Sequence, residues 1–189
     1  MTDTPDPDIE RSSEHLWRLI DERGDAGADR DEIDRRIWAR FGETRAVMFT
    51  DLAGFSRRVV EFGILHFLQI IREQHRLLAP IVTAHGGILV KSEADSFLVL
   101  FRTTSAAMTC ARAMMAACDQ ANVGRRDEDA ILLCVGIGHG RVLLIGDHDV
   151  YGAEVNAASK LGEDTARVGE ILLTAAAAAA LAAEPGAAP

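Results

Sequence analysis

Aromatic residues are scarce: Phe, Trp and Tyr make up 5% of the 189 residues, and there is a single tyrosine. That speaks against a base-stacking platform for single-stranded nucleic acid, which needs rings in series. Positive charge is also in deficit. The net charge of −9 speaks against any polyanion partner. No apolar run reaches 18 residues, so no membrane span is expected. The N-terminus, MTDTPDPDIE, is acidic and polar, which is wrong for a secretory leader. The three cysteines, Cys110, Cys118 and Cys134, form no CxxC pair and sit in apolar stretches. They read as buried free thiols in a reducing, cytoplasmic setting. Lysine is the scarcest charge of all. Of the 20 basic residues only Lys91 and Lys160 are not arginine.

What remains is 48% apolar and 26% charged, enough for one domain of ordinary size with an appendage. Residues 1–36 hold 12 acidic and 6 basic side chains, so they carry −6 of the −9. This acidic extension, 1–43, is expected to start disordered. Two short helical patterns then follow, one around Leu16, Trp17, Leu19 and Ile20 and one around Ile33, Ile37, Trp38 and Phe41.

From 44 onward the elements alternate. Residues 44–50 read as a buried strand ending at Asp51, followed by a turn through LAGFS. A long amphipathic helix is expected from about Ile64 to Ala84, with Pro80 as a possible kink. Gly86 and Gly87 stop it and open a hairpin with strands 88–90 and 97–101 and its turn at 91–95. A helix over 104–123 follows, then strands 131–137 and 142–145 around the GHG turn at 138–140. A helix over 153–165 and a strand over 170–174 complete the domain, 44–174. The alanine-rich tail, 175–189, reads equally as helix or as low-complexity sequence. The fold class is α+β. Its first half, β-α-β-β-α-β, gives a ferredoxin-like core in which helices pack on an antiparallel-rich sheet. That architecture serves many functions, so function must come from the site.

Two carboxylates stand out. Asp51 ends an apolar strand and Asp95 sits at a hairpin turn. In a β-α-β-β unit these places can be neighbours, and two convergent carboxylates suit Mg²⁺ or Mn²⁺, which take phosphates as further ligands. The competing reading is a helix cap at Asp51 and an ordinary turn at Asp95. The segment after Asp51, Leu52 and then Ala53-Gly54-Phe55-Ser56, leads into a helix whose amides could hold phosphate. Further on, Asn156 and Lys160 share a helical face at i, i+4 spacing, either as a functional pair or as a solvated stripe.

Together these residues resemble the catalytic domain of class III nucleotidyl cyclases. FTDLAGF (49–55) is similar to the family's F-x-D-[IL]-x-G-F, and KSEAD (91–95) to K-x-x-G-D. GIGHG (136–140) is similar to G-I-H-x-G with an extra glycine, and the stretch 149–160 to D-x-[WF]-G-x-x-V-N-x-A-[SA]-R. The resemblance implies that Asp51, Asp95 and backbone at Leu52 bind two Mg²⁺ or Mn²⁺ ions, and that Ala53, Gly54, Phe55 and Ser56 hold phosphates. It implies that Lys91 and Asp149 read the purine as adenine, that Asn156 orients the ribose, and that Lys160 stands where a transition-state arginine is usual. It further implies ATP as substrate, cyclic AMP and pyrophosphate as products, and a homodimer with two composite sites.

Three departures bear on turnover. Lys160 replaces a rigid bidentate fork with a point charge. Ala94 adds a methyl where the family has glycine. No lysine follows Lys160 to hold phosphate, leaving Arg57, Arg58 or Arg167 as candidates. An alternative reading is therefore a weak or inactive cyclase-homology domain that serves as a nucleotide-binding or dimerisation module.

Overall fold

The structure is a computed structural model that describes residues 13–146 and 148–184, with the side chains of Phe55 and Ser56 excepted. The expected disorder at the start of the chain lies outside the described residues. Two helices, α1 (Ser13–Gly24) and α2 (Arg30–Phe41), form a hairpin. Asp29 caps α2 by accepting the Glu32 N–H at 3.0 Å. Leu16, Leu19, Ile33, Ile37 and Phe41 pack against Ile145, so the hairpin seals one end of the domain.

The chain then runs β1 (Gly42–Leu52), α3 (Phe55–Phe62), α4 (Ile64–Ala84), β2 (Ile88–Glu93), β3 (Ser96–Phe101) and α5 (Thr104–Asn122). After a 3-10 turn at Asp127–Asp129 come β4 (Leu133–Ile145), β5 (Asp149–Tyr151) and α6 (Ala153–Lys160). A π-helical turn, Leu161–Thr165, leads to β6 (Ile171–Leu173) and α7 (Ala175–Ala183). The sheet order is β2-β3-β1-β4-β5, with β6 parallel to β4 and every other pairing antiparallel. The first four strands have the ferredoxin-like order.

Strand alternation divides the core in two. Ala46, Met48 and Leu52 of β1, with Phe97, Val99 and Phe101 of β3, face Phe67, Ile70, Leu78 and Val82 of α4 and Ala107, Cys110 and Met114 of α5. Val47 of β1 and Leu98 and Leu100 of β3 face the other way, toward Val142, Leu144, Val150, Val155 and Ala158. The sheet curls around this second cluster until its two edge strands, β2 and β5, touch. Asp51 shares the parity of Val47, so it belongs to the curled face.

Several expectations need correction. Residues 131–145 do not form two strands around a GHG turn; β4 is continuous through His139. The glycines are there because α6 lies on them. A Cβ on Gly136 would come 2.2 Å from the Ala158 carbonyl oxygen, and one on Gly138 would come 2.6 Å from that of Glu154. The helix expected over 153–165 is α-helical only to Lys160. The helix expected after the Ala53–Ser56 turn begins at Phe55 as a separate short element, α3, broken from the long helix at Gly63. α4 stays one helix with Pro80 inside it. The hairpin turn shrinks to Ala94-Asp95, so Lys91 lies in strand β2. The alanine run is a helix, capped by Thr174, which accepts the Ala177 N–H at 3.1 Å. All three cysteines are free and buried, and burial pushes their thiols up to about 11 or 12. No helix among the described residues is long and apolar enough to cross a membrane.

Candidate active site

The sheet register explains why Asp51 and Asp95 meet. Thr50 of β1 pairs with Phe97 of β3, so the β2-β3 turn stands beside the end of β1. Ser96 donates its hydroxyl to Asp51 Oδ1 at 3.2 Å. Gln74 of α4, fully buried, donates to the Asp95 carbonyl at 3.0 Å and pins the turn from below. The Leu52 backbone N–H faces both carboxylates. Ala94 supplies the reversal at φ +49°, the only non-glycine residue with positive φ among those described. A methyl in that region costs about 1 kcal/mol.

The two acids are uncomfortable together. Burial and the charge of Asp95 push Asp51 up to about 7. Burial, and then the charge of Glu163, raise Asp95 as well. Glu163 sits on the π turn and lines the same open pocket of about 360 Å³, with Asp51, Leu52, Gly54, Arg57, Asp95 and Ser96. Sequence reasoning missed Glu163. Its place depends on a π turn, which widens the helix by one residue and has no composition signature. Gly162 makes the turn possible, since a Cβ there would lie 2.9 Å from the Phe49 carbonyl oxygen.

Among the described residues no group of three or more His, Cys, Asp or Glu side chains is arranged to hold a metal alone. A partly buried carboxylate, Asp51, raised by the charge of a buried one, Asp95, does fit hard divalent cations whose remaining ligands are water and phosphate oxygens. Asp51, Asp95 and backbone at Leu52 are the residues that would hold such an ion.

The phosphate-binding expectation is corrected at one position. The Ala53 N–H donates to the Leu132 carbonyl at 2.8 Å, so it has no role toward an anion. Gly54, at φ +82°, caps α3, and the first-turn amides of Phe55, Ser56 and Arg57 are left without intrahelical acceptors. The three candidate arginines separate. Arg58 is buried and donates to the Ala130 carbonyl at 2.7 Å and to the Asp127 carbonyl, so it is structural. Arg57 is exposed and lines the carboxylate pocket. Arg167 stands in the turn before β6, where its N–H bonds Glu170 at 2.8 Å.

Where the edge strands meet, Lys91 Nζ lies 2.9 Å from Asp149 Oδ1. The hydrogen bond from Lys91 to Asp149 raises the lysine pKa. Burial pushes the Asp149 carboxyl up, but donors from Lys91, Tyr151 and Val150 outweigh it and hold it below its ordinary value. Lys91 and Asp95 line one open pocket of about 480 Å³ together with Phe49, Ser96 and Glu163. Asn156 and Lys160 lie elsewhere. Both are exposed on the outer face of α6, and neither lines the pockets around the carboxylates.

Comparison with known proteins places this geometry. A family model described as the adenylate and guanylate cyclase catalytic domain matches residues 40–187. An adenylate cyclase of Streptomyces coelicolor is 32% identical over 161 residues, 82% of this chain and 38% of that protein. A putative adenylate cyclase 3 of Rhizobium meliloti is 29% identical over 116 residues, 61% of this chain and 20% of that protein. The chain thus spans well under half the length of these curated relatives. The crystal structure of an adenylate/guanylate cyclase/hydrolase from Silicibacter pomeroyi superposes with a TM-score of 0.65 at 28% identity, covering 72% of this chain and 78% of that one. With its motifs, its sheet order and this match in agreement, the chain belongs to the adenylate and guanylate cyclase catalytic domain family.

Proposed function

We propose that the chain is an adenylate cyclase, converting ATP to 3′,5′-cyclic AMP and pyrophosphate at the interface of a homodimer. The observation that carries the reading is the Lys91–Asp149 pair at 2.9 Å. A cation and a carboxylate side by side match adenine, whose ring N1 accepts and whose exocyclic amine donates. Guanine presents the opposite pattern and leaves both groups unpaired, which strongly rejects it. Two curated relatives named as adenylate cyclases support the same choice.

Each remaining residue has a task. Two divalent cations, when bound by Asp51 and Asp95, lower the pKa of the attacking 3′-hydroxyl and offset charge on the leaving pyrophosphate. The amides of the first turn of α3, with Gly54 as its cap and Arg57 alongside, hold the triphosphate. Lys91 donates to adenine N1 and Asp149 accepts from the amine. Asn156 orients the ribose so that its hydroxyl faces the α-phosphorus, and Lys160 offsets the charge that develops on that phosphate. Asn156 and Lys160 stand away from the carboxylate pocket of their own chain. A second copy must bring them, which is why the reading includes a dimer.

The test is complementation. Asp51→Asn and Lys160→Ala each abolish cyclic AMP formation with Mn²⁺ and ATP, and mixing the two restores up to a quarter of it. Restoration fails if each chain holds a complete site. Ala94 and Lys160 favour a second reading, a nucleotide-binding module with little turnover. ATP bound without cyclic nucleotide formation from any of the four nucleoside triphosphates selects it.

A further inference from the structure

The Asp149 carboxylate is held on both oxygens. Oδ1 accepts the Val150 N–H at 2.8 Å and faces Lys91 Nζ at 2.9 Å. Oδ2 accepts the Tyr151 hydroxyl at 2.9 Å. Tyr151 is the only tyrosine of the chain. It is 40% exposed. What stands against it is Trp17 of α1, edge-on at 6.3 Å between ring centroids and 71° between planes. Trp17 is itself 51% exposed, but the helix that carries it is anchored, because Leu16 and Leu19 are buried in the hairpin that seals Ile145. A continuous path of contacts therefore runs from the N-terminal helix through Trp17, Tyr151 and Asp149 to Lys91.

We propose that Tyr151 is a positioning residue for nucleobase discrimination, and that Trp17 of the N-terminal hairpin holds it in place. The inference rests on the reading of Asp149 as the group that accepts the adenine amine. When a base arrives, Lys91 turns from Asp149 to the ring nitrogen, and the carboxylate loses one of its three donors. The Val150 N–H and the Tyr151 hydroxyl then keep its plane fixed, with a lone pair of Oδ1 left for the amine. A phenol suits this task. It donates without neutralising the carboxylate, and the bond to Asp149 raises its own pKa, so it remains protonated. Trp17 limits the rotation of an otherwise open ring. The acidic extension thereby gains a direct hold on which nucleotide the site accepts.

The experiment compares the full chain with Tyr151→Phe, Trp17→Ala and Asp149→Asn. It measures kcat and KM for ATP and GTP with Mn²⁺, and calorimetric affinities for 3′-deoxy-ATP and 3′-deoxy-GTP, which bind but lack the attacking hydroxyl. Tyr151→Phe keeps the ring and removes only the donor. It should narrow the ATP:GTP ratio about tenfold, the ordinary worth of a hydrogen bond to a charged group, chiefly through KM. Trp17→Ala should narrow it about threefold, in line with an edge-on ring contact. The double variant should be no worse than Tyr151→Phe alone, because both act on one carboxylate. General destabilisation does not move a ratio measured on one folded protein. If Asp149→Asn collapses the ratio while Tyr151→Phe and Trp17→Ala preserve it, the positioning role is overturned and the base-reading role stands. If Asp149→Asn leaves the ratio intact, both fall.

Discussion

Asp51→Asn should abolish turnover and at the same time stabilise the metal-free protein. The substitution removes a charge and little else, since an amide oxygen can still accept the Ser96 hydroxyl that now bonds Asp51 at 3.2 Å. In the folded chain Asp51 is pushed from an ordinary 3.8 up to about 7, by burial first and by Asp95 second. A carboxyl raised in the folded state contributes stability below its unfolded pKa and loses it as pH rises through the folded one. The cost of the ionised group therefore grows between about pH 4 and pH 7 and is complete at pH 8. Holding the carboxyl that high sets a ceiling of about 4 kcal/mol. Asp51 is only half-buried, and screening by solvent reduces this to about 1–2 kcal/mol. For a chain of this size that is about 3–6 °C in Tm. Thermal melts in EDTA should show the variant above wild type at pH 8, with the gap closing toward pH 4. Added Mn²⁺ should reverse the order, because only wild type gains a ligand. A gap that is absent at pH 8, or that does not change with pH, refutes the electrostatic account of the pair.

Three further outcomes follow from single residues. Lys160→Arg should raise kcat about tenfold with KM for ATP little changed, because a planar fork follows phosphate oxygens better than a point charge; steady-state kinetics with Mn²⁺ decide it, and an unchanged kcat removes Lys160 from the reaction. Ala94→Gly should relieve about 1 kcal/mol of backbone strain at φ +49°, less the entropy glycine gives the unfolded chain, for a small net rise in Tm. Calorimetry should also show tighter Mn²⁺ binding in the presence of 3′-deoxy-ATP, and a fall in Tm would mean the turn is not strained. Gly136→Ala should cost about 3 kcal/mol, because its Cβ would meet backbone rather than a flexible side chain, and urea denaturation at unchanged m-value measures it.

What was legible in the sequence is what repeats or alternates. The 21-residue helix α4 shows its apolar stripe, and β1 and β3 show continuous apolar runs, so these elements and their order could be read directly. α3 as a helix of its own could not, because it is eight residues long and bounded by Gly54 and Gly63, which look like punctuation. β4 was read as broken for the opposite reason. Its glycines serve close approach by a helix, and a single sequence cannot tell that use from a turn. The meeting of Lys91 and Asp149 joins the two edges of a curled sheet, and no periodicity announces it. Those two residues were legible only through motif order. Glu163 has neither a motif nor a period, and it enters the carboxylate pocket only because the helix widens beneath it.

The bare stripe of β4 has a consequence for how the gene can drift. At Gly136 and Gly138 every missense change adds at least a Cβ, and each Cβ would meet the main chain of α6 within 2.6 Å. The helix so displaced carries Asn156 and Lys160 and runs on into the turn that carries Glu163. A saturation mutagenesis map scored for activity should therefore show depleted columns not only at the carboxylates but also at positions that contribute no functional group. Tolerance should return at Gly24, the last residue of α1, where a Cβ would meet nothing within 4 Å and φ is not positive.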